Sequence, residues 1–78
     1  MRSKQPYIVV SFHTTNDAMA VQEAAKRAGL AGRLAPIPRQ ISAGCGLAWI
    51  EPAVHRARIM RLVEEGGLEH AGIDMLNL

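Results

Sequence analysis

The sequence predicts an α+β fold of the ferredoxin-like type, in which two helices cover one face of an antiparallel sheet with strand order 4-1-3-2. Two apolar runs without proline, at residues 7–12 and 47–50, are typical of strands in the interior of a sheet. A helical pattern follows each run, and two weaker extended segments complete the order β-α-β-β-α-β. The chain of 78 residues has the length of one domain, which we assign to residues 1–78.

The first half of the chain predicts a buried strand followed by a helix. Residues 7–12 are rich in β-branched side chains, as expected for a strand that is covered on both faces. Thr14 and Thr15 are good N-cap residues and Asp17 places a carboxylate in the first turn, so a helix should begin near Thr14 or Thr15. Gly29 occupies the position where a residue with positive φ ends such a helix.

The second half predicts two strands, a helix and a final strand. Residues 32–37 read as a strand at the margin of the sheet, because Pro36 cannot donate to a ladder. Residues 47–50 form an interior strand, and Pro52 is predicted to be the first residue of the second helix. The glycines at 66 and 67 stop that helix, and residues 73–76 alternate loosely as a short last strand.

This topology predicts which distant residues meet. Strands one and two run parallel, so the turn after strand one and the hairpin after strand two leave the sheet at the same end of the strands. We therefore expect Cys45 to lie near His13, Thr14 and Thr15 at the start of the first helix.

Composition excludes several classes of protein. A single cysteine excludes an internal disulfide framework and predicts a free thiol in a reducing, cytoplasmic compartment, and no apolar stretch is long enough to span a membrane. One cysteine and three histidines without ligand spacing predict no metal site, and no motif indicates a cofactor. A net charge of +2 and only three aromatic residues (Tyr7, Phe12 and Trp49) argue against binding to nucleic acid.

Cys45 is the strongest candidate for chemistry. The glycines on both sides leave its sulfur without bulky neighbours, and a helix N-terminus nearby would favour the thiolate. We therefore hypothesise that Cys45 is an accessible nucleophile, with charge on the sulfur or on a sulfur-bound group stabilised by a set of neighbours: Arg39, Ser42, Gly44, Gly46, Thr14, Thr15 and His13. Two alternatives stay open: Cys45 as a small apolar residue at the start of strand three, and Arg39 as a solvated loop arginine.

Three stretches of the sequence resemble one known family. They are FHTTNDAM at residues 12–19, PIPRQIS at residues 36–42 and GCGLA at residues 44–48. Together they resemble the DUF3343 family, described as putative Se/S carrier protein-like, over residues 7–63. The resemblance implies that Cys45 carries sulfur or selenium as a persulfide or perselenide, with Pro38, Arg39, Ser42 and Gly46 matching the motif around it. It also implies sulfur or selenium donor and acceptor proteins as partners, among them TusA-like carriers.

Two functions follow as hypotheses. The first is a sulfur or selenium carrier, more an accessory protein than a self-sufficient enzyme, because the chain lacks an evident acid, base and orienting group around Cys45. The alternative is a non-catalytic ferredoxin-like regulatory or protein-interaction module that binds a small anion or a partner protein. The last strand has no proline to guard its edge, so a homodimer could form by pairing of that edge strand.

Overall fold

The computed structural model describes residues 4–42 and 44–78. Its elements are β1 (Pro6–Ser11), α1 (Thr15–Arg27), β2 (Arg33–Pro36), β3 (Leu47–Pro52), a 3-10 turn (Ala53–His55), α2 (Arg56–Glu65) and β4 (Gly72–Asn77). The strands form one antiparallel sheet of order β2-β3-β1-β4. This is the predicted order 4-1-3-2 read from the other edge, so the predicted α+β architecture is confirmed.

The core lies between the helices and one face of the sheet. Alternate residues of the two interior strands point to this side, because side chains along a strand alternate between faces. The buried cluster contains the sheet residues Ile8, Val10 and Trp49, Phe12 directly after β1, and the helix residues Ala18, Val21, Ala25, Ile59 and Val63. Both helices therefore cover the same face, and the alanines allow α1 to approach the sheet closely.

The helix boundaries follow local signals. Thr14 caps α1, since its side-chain oxygen accepts the N–H of Asp17 at 3.1 Å. Gly29, with φ of +74°, ends α1 in a Schellman motif in which the Leu30 N–H donates to the Ala25 carbonyl at 3.0 Å. Gly67, with φ of +62°, follows α2 in the same way. The predicted helix start and both predicted stops are confirmed.

Pro52 does not open the second helix as predicted. It is the last residue of β3, opposite Tyr7, with an extended backbone at ψ of 138°, and α2 begins only at Arg56. The intervening 3-10 turn brings His55 back to the side chain of Glu51, a contact that the sequence analysis did not predict.

The two edge strands also differ slightly in length from the prediction. β2 is shorter than residues 32–37, because the N–H of Gly32 donates to the Glu51 side chain. β4 is longer than residues 73–76. In the part of the chain that the structure describes, neither helix is long and apolar enough to cross a membrane.

Candidate functional site

The hairpin that carries Cys45 lies against the turn between β1 and α1. The Cys45 N–H donates to the carbonyl oxygen of Phe12 at 3.4 Å. A Cβ atom on Gly44 would stand 3.1 Å from the carbonyl oxygen of His13, so a glycine here permits the close approach of the two segments. The structure thus places the Cys45 hairpin against Phe12 and His13, while it records no contact of Cys45 with Thr14 or Thr15 among the described residues.

The Cys45 side chain is half-buried. It packs against the core cluster, and its Sγ donates a weak hydrogen bond to the Leu47 carbonyl at 3.9 Å. Cys45 is therefore partly packed on the core and partly exposed at this end of the sheet. Cys45 lies two residues before β3, so it does not begin that strand, and the accessible nucleophile stays a prediction.

Gly46 closes the hairpin beneath the cysteine. Its φ of +75° lies in the left-handed region that favours glycine, while nothing stands within 4 Å of the place where a Cβ would be. The carbonyl of Gly46 accepts the N–H of Ile37 at 2.9 Å, which continues the β2–β3 ladder by one step. Gly44 is therefore required because a side chain there would be crowded, whereas Gly46 is required because its φ is positive.

The start of α1 supplies hydrogen-bond donors at this end of the molecule. The Asp17 N–H donates to the Thr14 side-chain oxygen, and the Ala18 N–H donates to the Thr14 carbonyl oxygen. The N–H groups of Thr15 and Asn16 have no partner recorded among residues 4–42 and 44–78. A helix N-terminus with such groups attracts negative charge.

The loop before the cysteine carries Arg39 and Ser42, and both are exposed. A turn precedes Ser42, in which the Ile41 N–H donates to the Pro38 carbonyl at 3.0 Å. The structure records no contact from Arg39 or Ser42 to Cys45, and Ala43 lies outside the described residues. Within the described residues, no three His, Cys, Asp or Glu side chains come together as a metal site.

A buried carboxylate at the opposite end of the sheet was missed by the sequence analysis. Glu51 is fully buried, and its two oxygens have four partners. These are the backbone N–H of Ala31 at 3.0 Å, that of Gly32 at 3.0 Å, Trp49 Nε1 at 2.8 Å and His55 Nδ1 at 2.7 Å. Glu51 therefore joins the loop after α1 to β3 and to the turn before α2.

One sequence signal could have pointed to Glu51. A glutamate on the same strand face as Trp49, and four residues before His55, is placed to accept hydrogen bonds from both. Gly32 fits this network because a Cβ there would stand 2.5 Å from Glu51 Oε1 and 2.7 Å from Trp49 Nε1. No comparable polar network surrounds Cys45 among the described residues, so the two ends of the sheet are built differently.

Comparison with known proteins gives one match. Residues 7–73 match the family described as "Putative Se/S carrier protein-like". Comparisons with curated proteins and with solved structures found no match. The matched segment runs from β1 into β4 and includes the Cys45 hairpin, the β1–α1 turn and Glu51. The chain therefore belongs to the putative Se/S carrier protein-like family.

Proposed function

We propose that Cys45 holds a transferable sulfur or selenium atom, as a persulfide or perselenide, and passes it between partner enzymes. The observation that carries this proposal is the half-buried Cys45 in a glycine turn against Phe12 and His13, in the turn between β1 and α1. The family name supports the cargo class. Donor and acceptor proteins, including TusA-like carriers, are the partners, and the reducing cytoplasm is the compartment that keeps the thiol free.

The transfer needs no redox co-reactant. The Cys45 thiolate attacks the terminal sulfur of a donor persulfide, so a new S–S bond forms while the donor S–S bond breaks and the donor leaves as a thiolate. An acceptor thiolate then attacks the terminal sulfur on Cys45 in the same way, and Cys45 leaves as a thiolate. Because the chain has one cysteine, no internal thiol can expel the cargo as a disulfide.

The residues around Cys45 have distinct roles in this proposal. The N–H groups of Thr15 and of its neighbour Asn16 favour negative charge at the terminal sulfur, and Thr14 fixes the start of the helix that presents them. The exposed Arg39 and Ser42, on the loop before Cys45, are the donors to the cargo in this proposal, and His13 lies beside the hairpin. Gly44 and Gly46 leave room for a partner protein to reach the sulfur.

Loading with sulfur tests the proposal. The protein is incubated with a cysteine desulfurase and cysteine, or with a selenium donor, and its intact mass is measured before and after reduction. We expect a gain of one sulfur or selenium atom that a thiol reductant removes and that maps to the Cys45 peptide. No gain, or an equal gain on Cys45→Ser, would contradict the carrier function.

A pair of charge variants tests the role of the loop arginine. Arg39→Gln should slow loading by roughly tenfold, because a charge-assisted contact to the anionic sulfur is lost. Arg56→Gln is the matched control, since Arg56 is equally exposed but lies at the start of α2. Equal rates for the two variants would remove Arg39 from the site while leaving Cys45 as the carrier.

A second function is favoured by the packing of the sulfur on the core. A half-buried cysteine that bonds to the Leu47 carbonyl also suits a structural role in a non-catalytic module that binds a small anion or a partner protein. In that case Cys45→Ser should leave binding and biological activity unchanged. The loading experiment separates this function from the first.

A further inference from the structure

The face of the sheet opposite the helices, here called the open face, is lined by one identifiable set of side chains. A Cβ on Gly72 would lie 3.5 Å from Ser11 Oγ and 4.0 Å from Asp74 Oδ2, which places both side chains on this face. Four further residues line a shallow concavity on the same side: Tyr7, Arg33, Ile50 and Pro52. The molecule is only 15 Å thick in its smallest dimension, which fits one sheet and one layer of helices.

One row across the open face has opposite charges at its ends. Arg33 on β2 pairs with Ile50 on β3, Ile50 pairs with Val9 on β1, and Val9 pairs with Asp74 on β4. Arg33 and Asp74 are exposed, Ile50 is half-buried and Val9 is fully buried. Three strand spacings separate the two charges by about 14 Å, and neither has an ion-pair partner among the described residues.

We propose that the open face binds a second copy of this chain through a two-fold axis that runs along the strands. Such an axis reverses the strand order in the partner, so β2 lies over the partner's β4 and β3 lies over the partner's β1. Arg33 then faces the partner's Asp74, and Asp74 faces the partner's Arg33. Ile50 of each copy lies between the two charge pairs, over the strand that carries the partner's buried Val9.

The spacing of packed sheets fits this arrangement. Two sheets pack about 10 Å apart and are rotated by about 30°. An arginine and an aspartate side chain together bridge that gap, and the rotation moves the ends of the row by only about 4 Å. The half-buried Ile50 of each copy supplies the apolar contact at the centre, while the two charge pairs at the rim set the register and the choice of partner.

The charge pattern favours a second copy over an unrelated occupant. A row with one cation and one anion at equal distances from its centre is complementary to itself after a two-fold rotation. The face is only four strands wide, so it is small beside the ~800 Å² per partner of a standard interface. We therefore expect a dimer that dissociates on dilution.

Charge reversal tests the proposal. Sedimentation of the wild-type chain over a range of concentrations should show a monomer–dimer equilibrium. Arg33→Glu and Asp74→Lys should each weaken self-association by about tenfold or more, because like charges then face each other across the axis. An equimolar mixture of the two variants should associate as the wild type does, since both rim contacts become opposite in charge again.

Matched controls lie on the helix layer. Arg56→Glu and Glu64→Lys reverse exposed charges on α2 and should leave the dimer unchanged, and circular dichroism checks that every variant is folded. A wild-type chain that stays monomeric would overturn the proposal. So would a dimer that Arg33→Glu does not weaken, because its contact would then lie outside this row of residues. Failure of the mixture to associate would exclude the two-fold arrangement.

Discussion

Glu51 shows how one buried side chain can fix three segments of a small fold. Each of its oxygens accepts one backbone N–H, from Gly32 or from Ala31, and one side-chain contact, from Trp49 or from His55. A charged group without these partners would be costly to bury, whereas hydrogen bonds to a charged group contribute about 1.5–3 kcal/mol each. Through this network Glu51 holds the loop after α1, strand β3 and the turn before α2 together.

Replacing this carboxylate by an amide should destabilise the protein strongly. Whichever oxygen becomes the amide nitrogen in Glu51→Gln, one backbone N–H loses its acceptor and faces another donor. We expect the free energy of unfolding to fall by about 3 kcal/mol, as measured by urea denaturation. Glu23→Gln removes an exposed carboxylate that pairs with Arg27, and it should change stability by less than about 1 kcal/mol. Equal effects would contradict the anchoring role.

Cys45 and Glu51 show how far the sequence could predict the positions of single residues. The position of Cys45 beside His13 follows from strand order alone, because parallel strands one and two must end at one edge. The position of Glu51 depends on backbone groups 19 and 20 residues away, and no local pattern indicates that a loop will turn its N–H groups toward a strand. The contacts of Arg39 and Ser42 depend equally on the conformation of a loop, which periodicity does not encode.

The first helix owes its start to Thr14, and two adjacent threonines allow a matched test. The Thr14 side chain accepts the N–H of Asp17, whereas Thr15 is already the first helical residue. Thr14→Ala should lower the free energy of unfolding by about 1 kcal/mol because a cap is lost. Thr15→Ala should change it by a few tenths of a kcal/mol, within the range of helix propensities. Thermal unfolding of both variants compares them, and an equal loss would contradict the assigned cap.

The elements differ in how far sequence determines their ends. The start of α1 at Thr14 and the ends of the two helices at Gly29 and Gly67 each depend on contacts within a few residues along the chain. The local sequence therefore predicted these boundaries. Pro52 has equally good local chemistry for a helix start. It stays in β3 because the strand pairs through Tyr7 and because His55 reaches Glu51 only after an extra turn. Tertiary contacts outweighed the local preference there.

At the scale of the whole molecule, we expect the two ends of the sheet to differ in local stability. The end near Glu51 is held by a buried network, although Ala31 and Gly32 belong to no strand or helix. The end near Cys45 is held by a hydrogen bond of 3.4 Å to Phe12 and by glycine turns. The proposed carrier site lies at the end that we expect to be less stable, which agrees with the rule that binding segments open more readily than the core.

Hydrogen exchange measures this difference residue by residue. The amides of Ala31 and Gly32 should exchange about tenfold or more slowly than the Cys45 amide, because their acceptor is a buried carboxylate rather than a long bond at an edge. Glu51→Gln should remove much of the protection at Ala31 and Gly32, and Glu23→Gln should leave it unchanged. If Ala31 exchanged as fast as Cys45 in the wild-type chain, the stable end of the sheet would not depend on Glu51, and the contrast between the two ends would be wrong.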